Sequence, residues 1–126
     1  NAILVDFHSE TTSEKMAFAH NFGGRVSAVV GSHTHVPTAD AHVMSGGTAF
    51  QADAGMCGDY DSVIGVRKDI SILRFTRKMP TEKMVPADGE GTLCGIFIET
   101  DDSSGLARHI DRVQVGGILK EYIPEV

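Results

Sequence analysis

No apolar run in this sequence approaches the roughly 18 residues needed to cross a bilayer, and no basic-then-apolar start resembles an export signal. A soluble, cytoplasmic chain is the expectation. Cysteine is scarce: Cys57 and Cys94 form neither a CxxC pair nor a disulfide framework, so reduced thiols in a reducing compartment are expected. Basic charge is short as well. Eleven Lys and Arg stand against 17 Asp and Glu, a formal charge of −6, which argues against holding nucleic acid mainly by phosphate neutralisation. A small phosphate ester remains open as a ligand, because bound metal cations change the local charge balance whatever the net charge. There is no internal repeat, no low-complexity segment and no initiator methionine. The chain enters an apolar strand pattern at its second residue, which reads as a cut through a longer domain.

What is present is an ordinary soluble composition, 41% hydrophobic and 22% charged over 126 residues, enough for one modest core and one folding unit. Ile3 to Val5 form a continuous apolar run, the pattern of a strand buried on both faces of an α/β sheet, ending at Asp6-Phe7-His8. Thr12 or Ser13 is placed to cap a helix with Glu14 in its first turn, and Met16, Ala17 and Ala19 supply its apolar surface until Gly23-Gly24. Val26 to Val30 predict a second strand closed by Gly31-Ser32. The His33-Thr34-His35-Val36-Pro37 segment that follows is predicted to be extended, because the residue before proline avoids the helical region. Two polar clusters therefore sit just after strand ends, the edge where ligands gather in open parallel sheets.

Further on, His42 to Met44 and Thr48 to Ala52 predict a hairpin about Ser45-Gly46-Gly47. Residues 54 to 65 read as a loop in which Gly55 and Gly58 permit conformations other residues resist. Asp69 is placed to cap a helix using Ile70, Leu73 and Arg77, although Ile70-Ser71-Ile72 also fits a strand. Residues 80 to 91 are polar and turn-rich. Thr92 to Thr100 and Leu106 to Val115 then flank Asp101 to Gly105 as a second hairpin, and Ile118 to Ile123 can add a strand.

Chemistry concentrates in His8, His33 and His35. Residues two apart in extended chain project to one side, so His33 and His35 can present both imidazoles to one cation or to two adjacent ones. Neutral imidazole is the commonest metal-binding side chain. An isolated HxH is a weak signal, and Asp6-x-His8 at an equivalent strand end is what raises it to a candidate site. His20, His42 and His109 fall in predicted helix or strand bodies and read as solvated or core-edge residues.

Three separated runs also carry a resemblance. Asp6-Phe7-His8-Ser9-Glu10 with Thr12-Ser13-Glu14-Lys15, Gly31-Ser32-His33-Thr34-His35-Val36 with Thr38-Ala39-Asp40, and Asp53-Ala54-Gly55-Met56 with Gly58-x-Tyr60-Asp61 resemble the YmdB-like bacterial metallophosphoesterases. The resemblance extends across essentially the whole chain. It implies the second half of a calcineurin-like αββα sandwich with several β-hairpins, a C-terminal half-domain spanning 1–126. Within it 1–53 would carry the metal ligands, 54–91 a loop-rich excursion available for self-association, and 92–126 a hairpin and tail.

The same resemblance implies hydrolysis of 2′,3′-cyclic nucleotides or related small phosphodiesters by two divalent ions, with His8 and His33 on one and His35 on the other. Such a centre suits Fe, Mn or Zn, and Asp6 or Glu10 would accept a hydrogen bond from a ligand imidazole. Asp6 reads equally as a strand-end turn carboxylate. Asp40, Asp53 and Asp61 fit the family pattern with no separate physical role. The family's early aspartate, bridging acidic residue and Gly-Asn-His segment are absent, so no catalytic residue is expected in this chain. The chain is expected to be inactive without the missing N-terminal half of the protein. A homo-oligomer is expected, with no membrane and no stable nucleic-acid partner. A phosphomonoesterase on the same metal core and a non-catalytic assembly module are the alternatives.

Overall fold

The computed structural model describes residues 1–78 and 82–126. Its elements run β1 (Leu4–His8), α1 (Thr12–Phe22), β2 (Ala28–Ser32), β3 (His42–Val43), β4 (Ala49–Gln51), α2 (Lys68–Arg77), β5 (Leu93–Thr100) and β6 (Ala107–Val115). The first four strands form one sheet in the order β1-β2-β4-β3, with β1, β2 and β4 parallel and β3 antiparallel to β4. β5 and β6 form a separate antiparallel pair.

The small sheet is covered on both faces, which gives the protein three layers. On one face α1 packs Ala19, Phe18 and Phe22 against Val29, Phe50, Ala52, Val5 and Phe7. The rings of Phe7 and Phe18 stack with centroids 4.3 Å apart. On the other face Ala28 and Ala49 meet Ala107, Ile110 and Ile98 of the hairpin. Alanines at this second contact let the two sheets approach closely. Ala107 N–H donates to Gly47 O at 2.8 Å and so ties the hairpin to the β3–β4 turn.

β1 departs from the expected doubly buried strand. It occupies the sheet's edge and runs on through His8, and its residues alternate: Val5 and Phe7 are half-buried while Leu4, Asp6 and His8 are exposed. The apolar run therefore covers one face only, beneath α1. The helix itself starts one residue earlier than expected, with Thr11 as its N-cap and the Thr11 hydroxyl accepting from Glu14 N–H. Its buried side chains also differ. Met16 and Ala17 are exposed, and Lys15 and Ala19 are fully buried. β2 begins two residues later than the valine run suggests, and α2 is a helix whose N-cap is Arg67, with Asp69 inside its first turn.

Both expected hairpins are present. The tail makes a single bridge, Gln114 with Tyr122, in place of a strand. The polar stretch 80–91 lies partly outside the described residues. Its described part is irregular and tied back by a bridge between Val66 and Pro86. Both cysteines are free thiols, Cys57 exposed and Cys94 buried. Among the described residues no helix is long and apolar enough to cross a membrane.

A histidine-lined hollow at the sheet's C-terminal edge

β1 and β2 are parallel and in register, so their C-terminal residues His8 and Ser32 are direct neighbours. The chain leaving β2 then folds back across this edge. A hollow of about 200 Å³ results, lined by His8, Ser32, His33, His35, Asp53, Gly55 and Met56. All three candidate histidines therefore face one space. Larger hollows lie elsewhere, one of about 520 Å³ on the β5–β6 hairpin and one of about 460 Å³ beneath α2. Neither gathers these imidazoles.

The route to this arrangement is not the extended one expected from sequence. Residues 33 to 36 form bends, and both His33 (φ 146°) and His35 (φ 66°) have positive φ. That region is unfavourable for a side chain with a Cβ, and it persists only where surrounding contacts over-determine it. Those contacts are explicit. Asp53 Oδ2 accepts from Thr34 N–H at 2.6 Å, between the two histidines, and Asp53 Oδ1 accepts from Gly55 N–H at 2.9 Å. Thr38 Oγ1 accepts from Asp53 N–H at 2.9 Å, and Asp40 accepts from Ala52 N–H through both carboxylate oxygens. Gly55, at φ 88°, passes so close to Pro37 that an added Cβ would lie 2.9 Å from its nitrogen. Gly58 does not share that need: it is outside the positive-φ region, and an added Cβ would meet only the Met56 side chain, at 3.8 Å.

Each imidazole has a defined neighbour. His8 Nδ1 lies 2.9 Å from Ser32 Oγ, and His35 Nδ1 lies 2.8 Å from the Ile64 carbonyl oxygen. A carbonyl only accepts, so Nδ1 of His35 carries the proton and Nε2 of the neutral ring keeps its lone pair. His33 Nδ1 lies 3.3 Å from His8 Nε2, the two rings set edge to face at 80°. Two nitrogens bound to one cation at about 2.0–2.1 Å sit about 2.9–3.4 Å apart, so this separation fits a shared divalent ion. Three protein ligands at one ion are not assembled among the described residues.

Among the described residues neither the Asp6 nor the Glu10 carboxylate bonds to a histidine ring, and the hydroxyl of Ser32 and the Ile64 carbonyl lie beside His8 and His35. The sequence reading missed Asp53 as the organiser of the loop. It lies buried, and although burial would raise its pKa, the amides of Thr34 and Gly55 and the ammonium of Lys15 hold it below the usual carboxylate value. Asp61 is a surface residue paired with Lys68 at 2.8 Å. His20, His42 and His109 are all exposed and away from the hollow.

Fold and site together define a mixed α/β protein with a histidine-lined hollow at the C-terminal edge of a parallel sheet. The sequence model of the YmdB-like protein family matches residues 1–113, and the chain belongs to that family. The 2′,3′-cyclic-nucleotide 2′-phosphodiesterase of Bacillus subtilis (strain 168) is 44% identical over 113 residues, which are 90% of this chain and 42% of that protein. A putative phosphatase/phosphodiesterase of Mycoplasma pneumoniae is 44% identical over 99 residues, 78% of this chain and 35% of that one. Among solved structures, a hypothetical protein from Thermus thermophilus superposes with a TM-score of 0.85 at 38% identity, covering 93% of this chain and 45% of its own. A novel phosphatase from Mycoplasma pneumoniae gives 0.82 at 38% identity, covering 89% and 40%. The chain thus spans less than half the length of these relatives.

Proposed function

We propose that this chain is the histidine-bearing half of a metal-dependent phosphodiesterase acting on 2′,3′-cyclic nucleotides or related small phosphodiesters. The carrying observation is the convergence of His8 Nε2 and His33 Nδ1, 3.3 Å apart, in a hollow that His35 also lines. On this reading His8 and His33 hold one divalent ion and His35 helps hold a second, with Fe, Mn or Zn suited to such ligands. When bound, such ions supply Lewis acidity and charge neutralisation to a phosphate ester. This chain's own contribution is to orient the imidazoles, through Ser32 at His8, Ile64 at His35, whose tautomer that carbonyl also sets, and Asp53 at the loop that carries His33 and His35. The remaining ligands and the catalytic histidine belong to the other half of a calcineurin-like αββα sandwich, so the chain is inactive by itself. Within it, 1–53 is the ligand-bearing part and 92–126 the covering hairpin.

The relatives named phosphatase/phosphodiesterase in Mycoplasma keep a phosphomonoesterase as the second reading. The full-length protein should hydrolyse a 2′,3′-cyclic nucleotide faster than a nucleoside monophosphate. The reverse ranking overturns the first reading in favour of the second.

A further inference from the structure

Lys15 is the least expected buried residue in the protein. Its side chain projects from α1 and is wholly buried, its Nζ has no hydrogen-bond partner among the described residues, and its ionic neighbour among them is Asp53 Oδ2 at 3.6 Å. Desolvating an ammonium without hydrogen bonds is expensive, and a 3.6 Å ion pair does not repay it in stability. An unbranched apolar side chain of similar length would fill the same space at lower cost. Room for the charge is nevertheless built in: Gly31 has no Cβ, and one placed there would lie 2.8 Å from Lys15 Cδ. The charge therefore sits where it faces one group, and that group is the clamp of the histidine loop. Both oxygens of Asp53 are already committed, Oδ2 to Thr34 N–H and Oδ1 to Gly55 N–H. An ionised carboxylate accepts at full strength at both oxygens, whereas protonation weakens one of the two acceptors and an asparagine turns an NH2 donor towards one of the two amides.

We infer that Lys15 is a positioning residue for the metal centre: its buried ammonium keeps Asp53 an acceptor at both oxygens, and Asp53 in turn fixes the backbone that presents His33 and His35. The inference rests on the reading of the hollow as a metal centre. It concerns a residue of α1 that does not line the hollow. Groups that act on ligands through one intermediary characteristically change metal affinity or turnover by about 10–100-fold, and that is the size expected here.

The test uses the full-length protein as wild type, Lys15→Met, Asp53→Asn, the double variant and His33→Ala. Mn²⁺ binding is followed by calorimetry, turnover by hydrolysis of a 2′,3′-cyclic nucleotide, and folding by Tm. Lys15→Met should weaken Mn²⁺ binding or lower kcat by about 10–100-fold, with KM for the substrate little changed. The double variant should be no worse than the poorer single variant, because both changes open one clamp. A Lys15→Met protein with a lower Tm but unchanged Mn²⁺ affinity and kcat, or losses that multiply in the double variant, overturns the inference. If Lys15→Met does not fold, Asp53→Asn decides alone: unchanged Mn²⁺ binding and kcat overturn the inference, and losses of the stated size support it. His33→Ala separates the two levels. Unchanged metal binding and activity there would refute the metal-centre reading itself, whereas a loss there combined with an unaffected Lys15→Met refutes only the role of Lys15.

Discussion

His8 Nε2 and His33 Nδ1 face each other across 3.3 Å at the ends of two neighbouring parallel strands. Without a cation this is at best one hydrogen bond between partly exposed rings, and it is too weak to hold His33 at a φ of 146°. The cost is carried by the Asp53 clamp, which fixes the loop whether or not an ion is bound. Replacing His33 by Ala should therefore leave the fold within about 1 kcal/mol of wild type. Divalent-metal affinity should fall by about 100-fold or more, at least the upper end of what losing a ligand's supporting partner costs. Calorimetry with Mn²⁺ and a denaturant melt on the same samples check both halves of that statement.

Ser32 offers a contrast with Asp6. Its hydroxyl lies 2.9 Å from His8 Nδ1 and is the group able to hold that ring's orientation. Ser32→Ala should weaken metal binding by about tenfold, and Asp6→Asn should leave it unchanged. A larger loss from Asp6→Asn than from Ser32→Ala would restore the carboxylate as the imidazole's partner.

The positions of the histidines were readable because they depend on where strands end, and strand ends are marked by short-range signals: valine runs, Gly31-Ser32 and Pro37. The conformation that brings them together was not. His35 is left-handed and its ring is held by Ile64, 29 residues away, so no local rule for extended chain applies. Lys15 was equally hidden. In sequence it follows Ser13-Glu14 as a surface-type helix residue, and its burial depends on a glycine in the next strand and a carboxylate just beyond β4. The edge position of β1 was missed for a related reason. A continuous apolar run records hydrophobicity but not which neighbours exist to cover each face.

Gly31 sits in β2, between β1 and β4, with the Ala52 backbone and the Lys15 side chain of α1 close against it. An added Cβ would lie 1.9 Å from the Ala52 carbonyl oxygen and 2.8 Å from Lys15 Cδ. Neither can yield cheaply, since the first is backbone beside the Asp53 clamp and the second belongs to a buried charged side chain. Gly31→Ala should destabilise the protein by about 3 kcal/mol, the upper range for overpacking a core. Gly58→Ala, whose new Cβ would meet only the Met56 side chain at 3.8 Å, should cost under about 1 kcal/mol. Denaturant melts of the pair measure the difference.

The β5–β6 turn carries the clearest pH dependence away from the hollow. Asp101 Oδ1 accepts from the hydroxyl and amide of Ser103 and from Ser104 N–H, and Oδ2 pairs with Arg108. The Ser103 hydroxyl first, then the Ser104 amide and the Arg108 guanidinium, hold this carboxyl well below its ordinary value of 3.8. A depressed folded-state pKa means that the unfolded chain takes up its proton first. The stabilisation is therefore complete at neutral pH, declines as pH falls through 3.8, and is gone below the folded-state value. Asp101→Asn keeps one acceptor oxygen but loses the charge facing Arg108, so it should be less stable than wild type at neutral pH. Because the variant has no proton to gain at this position, its deficit should shrink steadily as the solution is acidified below 3.8. Denaturant melts of both proteins across that range should converge; a gap that stays constant would mean that Asp101 contributes through the shape of its turn and not through its charge.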